Sequence, residues 1–119
     1  MSLIDTPLMQ RLSHFLDVTA YRSGLIASNI ANVDTPGYHA RDLDFRSQLA
    51  SSMAGDEQTA TPRAVEVAGL TERPDGNNVN IDREGLALAQ AQLQFQTGVA
   101  LMRAETHRLS QAIHEGGQQ

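Results

Sequence analysis

The segment SNIANVDTPGYHARDLDF, residues 28–45, interrupts an apolar helical pattern with a cluster of Asn, Asp, Thr, Pro and Gly. Pro36 and Gly37 suit the two central positions of a type II turn, because Pro fixes the first φ angle and Gly accepts a positive second one. Asn29 and Asn32 can satisfy backbone groups that lose their helical partners. The segment therefore predicts the end of a helix followed by a tight turn.

An amphipathic helix is predicted before this turn. Its apolar residues recur at mostly three- and four-residue steps, as one face of a helix requires. They include Leu8, Leu12, Phe15, Ile26 and Ile30. Thr6 followed by Pro7 marks its start, because proline at the first helical position gives up an amide that has no partner inside the helix. We predict a helix from about residue 7 to residue 32.

A second helix is predicted near the other end of the sequence, where apolar residues are spaced by seven. They are Ile81, Leu88, Phe95, Met102 and Leu109. This repeat is typical of a coiled coil. The seam is weak, because Gly85, Gln92 and Thr106 occupy the other positions where apolar residues are expected. Asn80 can cap the helix, which we predict from about residue 81 to residue 114.

The sequence between the helices is more polar and less regular. Residues 46–63 are rich in Ser, Ala, Thr and Gly and predict a flexible loop. Residues 63–70, RAVEVAGL, alternate valine with polar or small neighbours and predict one short strand. RPDGNN, residues 73–78, then supplies a turn.

The predicted fold is mainly α. Long N- and C-terminal helices pair as an antiparallel, coiled-coil-like hairpin, with a small irregular or β-containing middle segment. We divide the chain into residues 1–46 with the first helix and turn, an insertion at 47–76, and 77–119 with the second helix. Two amphipathic helices alone cannot cover all of their apolar surface, so we expect the remainder to pack against neighbouring subunits.

The composition argues against several kinds of chemistry. A formal net charge of −5 and a pI near 5.2 disfavour a nucleic-acid partner. The chain has no cysteine and no phosphate-binding glycine loop. Asp42 and Asp44 resemble a carboxylate pair, but neighbouring Arg41 and Arg46 favour local salt bridges or a solvated face. We predict no enzymatic activity, cofactor, metal site or small-molecule substrate.

The first residues contain no basic region followed by a continuous apolar stretch. They therefore do not predict a cleavable secretory signal, and no segment approaches the length of a transmembrane span. If the protein leaves the cytoplasm, we expect it to use another route.

The quoted segment resembles the signature of bacterial flagellar rod, hook and related axial proteins, in which a helix ends in an Asn-rich stretch followed by TPGY. Within that family, ARDLDF and the later DGNNVNIDREGLALAQAQLQFQ look like the proximal rod members. The resemblance covers residues 8–45 and 74–114. Because two separate motifs occur together in one short chain, the resemblance is specific.

This resemblance implies a structural subunit of the proximal rod of the flagellar basal body. The rod is the periplasm-spanning drive shaft that carries torque from the membrane ring to the hook. The implied partners are other copies of the chain, other rod proteins, proteins of the ring–rod junction and the flagellar type III export apparatus, which would export it without a cleaved signal peptide.

The turn segment has two interpretations. It redirects the chain and presents Tyr38, Leu43 and Phe45 to a neighbouring subunit or helix, or it only stabilises its own subunit. The candidate residues for subunit contact are Asn29, Asn32, Thr35, Pro36, Gly37, Tyr38, Leu43 and Phe45. Rival functions are a different rod protein of the same family or a small helical export adaptor or chaperone.

Overall fold

The structure is a computed structural model that describes residues 6–55 and 61–116. Helix α1 spans Pro7–Ala31, strand β1 Arg41–Leu43, helix α2 Phe45–Met53, strand β2 Ala64–Glu66 and helix α3 Ile81–Gly116. The molecule is elongated, with extents of 72 × 27 × 18 Å. The mainly helical prediction, with two long terminal helices and a small β element between them, is confirmed.

Both long helices begin where the sequence predicts. The Thr6 hydroxyl accepts a hydrogen bond from the amide of Met9 at 3.1 Å, and Pro7 occupies the first turn of α1. The side-chain oxygen of Asn80 accepts one from the amide of Arg83 at 3.1 Å, which caps α3. These bonds satisfy amides that have no partner within the helix.

The two long helices pack against each other in antiparallel directions. Phe15 and Leu16 of α1 lie beside Gly98 of α3. Further along α1, Arg22 bonds to Gln90, and Asn29 then bonds to Glu84. Since residue numbers rise along α1 as those of their partners fall along α3, the helices form the predicted antiparallel hairpin.

The packed side of α3 differs from the predicted seam. Its buried residues at seven-residue spacing are Glu84, Ala91, Gly98 and Glu105. These fall one position before Gly85, Gln92 and Thr106, which are exposed. The sequence pattern missed this series because its members are small or charged. Small residues let the two helix backbones approach closely, as Gly98 does beneath Leu16.

The apolar residues predicted for the seam are distributed unevenly. Ile26 is fully buried and packs with Ala87 and Ala91, with Leu88 beside them. Leu12, Met102 and Leu109 are half-buried. The remaining five keep more than a third of their surface exposed: Leu8, Phe15, Ile30, Ile81 and Phe95. The hairpin therefore covers only part of its own apolar surface.

The middle of the chain contains more regular structure than predicted. Helix α2 occupies part of the segment expected to be a loop, because the Asp44 carboxylate accepts a hydrogen bond from the amide of Ser47 at 3.2 Å and caps it. The predicted strand is present as β2, which pairs antiparallel with β1 in the register Arg41 to Glu66 and Leu43 to Ala64. Residues 56–60 of the predicted loop lie outside the described residues.

Within residues 6–55 and 61–116, no helix combines the length and apolar character needed to cross a bilayer.

Candidate functional site: the junction of the two signature segments

The turn after α1 has the geometry predicted for it. The carbonyl of Thr35 accepts a hydrogen bond from the amide of Tyr38 at 3.2 Å, and Gly37 has a φ of +76°. Asn32 ends the helix: its side-chain nitrogen donates to the carbonyl of Ser28 at 2.8 Å, while its side-chain oxygen accepts from the Thr35 hydroxyl at 3.0 Å. Local side chains thus replace the helical bonds that end here.

The second signature segment, which begins with DGNN at residues 75–78, packs directly against this turn. The side-chain nitrogen of Asn77, which is fully buried, donates to the carbonyls of Asn32 at 2.9 Å and Thr35 at 2.8 Å. Its side-chain oxygen accepts from the amide of Val79 at 2.8 Å. The side chain of Asn77 therefore joins its own loop to the turn after α1, through hydrogen bonds to backbone groups of both. We call Arg22, residues 29–42 and residues 73–84 together the junction.

Two glycines allow the loops of the junction to approach closely. The amide of Gly37 donates to the carbonyl of Asp75 at 2.9 Å. A Cβ atom on Gly76 would lie 3.3 Å from the Cα of Gly37, and Gly76 itself has a φ of +84°. Next to them, the side-chain oxygen of Asn78 accepts from the amide of Ala40 at 2.7 Å. The two glycines therefore let the backbones of the loops meet directly, and the side chains of Asn77 and Asn78 add further bonds to backbone groups.

Asn29 connects α1, the turn and α3. Its side-chain nitrogen donates to the carbonyl of Arg41 at 2.8 Å and to the Glu84 carboxylate at 3.1 Å. Its side-chain oxygen accepts from the Arg41 amide at 3.0 Å and from the Tyr38 hydroxyl at 3.1 Å. Since Asn29 is only 1% exposed, these four bonds satisfy its polar atoms without water.

A buried ionic cluster lies next to Asn29. The Asp42 carboxylate accepts from Arg22 Nε at 3.0 Å and from Arg83 at 2.9 Å. Arg83 also donates to Glu84 at 2.9 Å. Two guanidinium groups and two carboxylates balance in charge, and Glu84 is fully buried. Charge-assisted bonds of this kind fix orientation as well as position, and here they join α1, β1 and α3.

The environment of Asp42 stabilises its ionised form. Burial raises the pKa of the carboxyl, but hydrogen bonds from Arg22, from the amide of Leu43 and from Arg83 more than offset this, so the pKa lies below its ordinary value. The sequence interpretation of Asp42 as paired with neighbouring arginines was wrong, because its partners are 20 and 41 residues away.

His39 bridges two carboxylates at the edge of the junction. Its Nδ1 lies 3.3 Å from Glu66 of β2, and its Nε2 lies 2.7 Å from Glu72. The hydrogen bond with Glu66 raises the pKa of His39, burial opposes the rise, and Glu72 adds to it. Only the protonated imidazole can donate from both ring nitrogens, so this geometry favours the charged form.

The candidate contact residues of the turn have different surroundings. Asn29, Asn32, Thr35, Gly37 and Tyr38 all make bonds inside the junction, with Pro36 exposed at the turn itself.

Leu43 is buried within its own subunit, at 6% exposure. Phe45 is 54% exposed, and its ring lies 5.2 Å from the guanidinium carbon of Arg22. The subunit-contact hypothesis therefore depends on Phe45 and on the exposed residues 35–37 of the turn.

The sequence did not reveal which polar residues connect the elements, and these are Arg22, Asp42, Asn77, Asn78, Arg83 and Glu84. One signal for them existed. Arg22 interrupts the apolar face of α1, and a charged residue at a core-facing position calls for a buried partner of opposite charge. Among the described residues, no group of three His, Asp or Glu side chains is arranged to hold a metal ion.

Comparison with known proteins matches these same segments. A family model described as flagella basal body rod protein matches residues 25–39, which contain the end of α1 and the turn. The flagellar basal body rod protein FlgB of Salmonella typhimurium is 31% identical over 122 residues, covering 85% of this chain and 88% of the relative. The chain belongs to the FlgB family of flagellar basal body rod proteins.

Other FlgB proteins show the same relationship. FlgB of Escherichia coli K12 is 32% identical over 122 residues, with 85% of this chain and 88% of the relative covered. FlgB of Cereibacter sphaeroides is 35% identical over 105 residues, covering 77% and 82%. Membership of the FlgB family makes the chain a structural subunit of the flagellar rod, and the junction is the part of its fold that the two signature segments build.

Proposed function

We propose that this chain polymerises into the proximal rod and forms part of the periplasm-spanning drive shaft that transmits torque from the membrane ring to the hook. The proposal that the chain polymerises rests on the apolar surface left exposed along both long helices, including Leu86 at 75% and Leu8 at 48% exposure. Such surface is typical of faces that are covered by a partner. Membership of the FlgB family supports the rod as the assembly that covers it.

The junction suits a subunit that carries mechanical load. Its buried hydrogen bonds and ion pairs hold α1 and α3 in one register, so force applied to one helix passes to the other without sliding between them. In this proposal torque passes through many subunit contacts, and the chain has no catalytic role. The Asp42 and Glu84 carboxylates support this, since arginine and asparagine side chains already occupy them.

The proposal is tested by locating the chain in isolated basal bodies by cryo-electron microscopy. We expect its density in the proximal rod, in contact with further copies, other rod proteins and the ring–rod junction. Deletion of the gene is expected to stop rod completion and motility. Normal rods without the chain, or density outside the rod, would contradict the proposal. If the chain restores the export of other rod subunits but is not itself incorporated into the rod, it acts as an adaptor instead.

Export forms a separate part of the proposal. The family resemblance implies passage through the flagellar type III apparatus with the N-terminus intact. We expect the chain to be absent from the periplasm of cells that lack this apparatus and to retain its first residues in the rod, as read by mass spectrometry. A chain shortened by more than its initiator methionine, or periplasmic chain in those cells, would refute this route.

The turn is tested by replacing Gly37 with Val. A β-branched residue at a φ of +76° is strained, which we expect to cost about 1–3 kcal/mol and to reduce motility. Gly85→Ala is the matched control, because Gly85 is helical and open space surrounds its Cβ position. Full motility with Gly37→Val would show that the turn geometry is dispensable.

A further inference from the structure

A row of leucines lies on the side of α3 that faces away from α1. Leu86 and Leu93 are 75% and 64% exposed, and Ala100 continues the row at the same seven-residue spacing. Each lies two residues after a member of the buried series, which is about 200° around the helix. Residues 85–102 contain no charged side chain. This leucine row is therefore an uncharged ridge that the hairpin itself cannot cover.

A row of small residues lies on the corresponding outer side of α1. Ala20, Gly24, Ala27 and Ala31 are exposed and alternate between four- and three-residue steps, which is the spacing of a coiled-coil seam. Gly24 and Ala31 each follow a buried residue by two positions, so this face points away from α3. A Cβ atom on Gly24 would meet nothing within 4 Å. The small-residue row forms a shallow groove along α1.

Both rows consist of uncharged residues, and both repeat at a seven-residue spacing. Residues 23–33 of the sequence carry no charge, as is true of residues 85–102. At the helical rise the leucine row spans about 21 Å from Leu86 to Ala100, and the small-residue row spans about 17 Å from Ala20 to Ala31. In the register set by Asn29 and Glu84, a neighbouring copy at the same height places Leu86 level with Ala27 and Leu93 level with Ala20.

We propose that the leucine row of one copy packs into the small-residue row of the next copy. The proposal rests on the proposed function, because it names the contact by which the subunits join. The rows lie on opposite sides of the hairpin, so they cannot meet within one chain. A copy that uses its leucine row still has a free small-residue row. The contact is therefore heterologous, joining two different faces, and it can repeat from one subunit to the next.

Cysteine cross-linking tests which faces meet, since the natural chain has no cysteine. Full-length Leu93→Cys and Ala20→Cys proteins are mixed at high concentration under mild oxidation. We expect the mixed disulfide to form several-fold faster than either symmetric one. Tyr21→Cys is the matched control for Ala20→Cys, because Tyr21 is exposed but lies about 100° away around α1.

Two results would overturn this pairing. Faster cross-linking of Leu93→Cys with itself would indicate a symmetric α3 contact. A mixture that reacts no faster than the Tyr21→Cys control would show that these faces do not meet.

A size exchange tests direct contact. Leu93→Ala removes a ridge residue, and Ala20→Leu fills the groove, so each is expected to reduce self-association several-fold in sedimentation measurements. The double variant moves the large residue from α3 to α1 and is expected to recover association. Both positions are exposed, so circular dichroism should show unchanged helix content. A double variant weaker than both single variants would contradict direct packing.

These outcomes are separate from those for the proposed function. If the chain is found in the proximal rod but a variant that carries both Leu93→Cys and Ala20→Cys forms no cross-link between its copies there, the proposed pairing is wrong and the rod function stands. If the purified chains pair as expected but the chain is absent from the rod, the pairing stands and the rod assignment fails.

Discussion

The two ends of the helical hairpin are stabilised by different kinds of contact. At the junction, buried polar side chains join α1 to α3 by bonds of defined geometry, such as those of Asn29 and Asp42. At the other end, which we call the distal end, Gly98 lies beneath Phe15 and Leu16. There the Nε2 atom of His14 is buried without a hydrogen-bond partner.

This difference separates two tasks within one subunit. Hydrogen bonds and ion pairs are directional, so the junction determines the register of the helices. Apolar contacts are not directional, and they tolerate small shifts when a neighbour arrives. The distal end also leaves Leu101 and Ile113 half-exposed. The junction thus fixes the register, while apolar residues exposed at both ends, such as Ile81 near the junction and Ile113 at the distal end, remain for assembly.

The largest effect is expected from Asp42→Ala, which tests whether the junction dominates stability. The change leaves Arg22 buried without its carboxylate, and breaking a buried ion pair in this way costs about 3–5 kcal/mol. Urea unfolding followed by circular dichroism measures the loss. Asp17→Ala on the exposed side of α1 is the control and should change stability by less than about 0.5 kcal/mol.

A paired replacement sharpens this test. Arg22→Met with Asp42→Leu removes the charge together with its main partner, so it should destabilise less than Asp42→Ala alone. Equal losses in Asp42→Ala and Asp17→Ala would show that the ionic cluster contributes little.

A smaller effect is expected at the distal end from Gly98→Leu. A Cβ atom at Gly98 would lie 2.7 Å from Leu16 and 3.0 Å from Phe15, so the larger side chain must push the helices apart. Overpacking of this kind costs about 1–3 kcal/mol. Gly85→Leu on the same helix is the control and should be neutral or stabilising, because its Cβ position is open. Similar unfolding midpoints for both variants would refute the close contact.

The smallest effect is expected from His39, which adds a pH-dependent contact to the junction. Its pKa is raised in the folded chain, so its contribution is fully present below the unfolded pKa of about 6.5 and is lost as pH rises through the folded pKa. Between pH 5.5 and 8.5 the urea midpoint should therefore fall slightly. His39→Gln should remove this component. A folded pKa at or below the ordinary value, measured by NMR, would contradict the bridge to Glu66 and Glu72.

Features of the fold that depend on neighbouring residues could be predicted from the sequence. Features that depend on residues far apart in the sequence could not. The helix ends at Pro7 and Asn80 and the turn at Gly37 follow from neighbouring residues, and the structure confirms them. Helix α2 was missed because a Ser- and Ala-rich composition was given more weight than the cap supplied by Asp44.

The junction could be predicted only in part. Its turn was visible in the sequence, but Asp42 pairs with Arg22 and Arg83, which are 20 and 41 residues away. Periodicity assigns charged residues to the solvent side of a helix, so it could not place Glu84 in the packed seam. A buried polar network leaves no repeating pattern in the sequence, and its partners become evident only when the helices are paired.

Hydrogen exchange of the dilute full-length chain tests the contrast between the two ends most directly. Exchange rates report local opening, so amides in the more strongly stabilised region should exchange more slowly. We predict that residues 29–42 and 73–84 exchange several-fold more slowly than residues 100–109 of α3. Equal protection at both ends, or slower exchange at the distal end, would contradict the account of a subunit whose register is fixed at the junction.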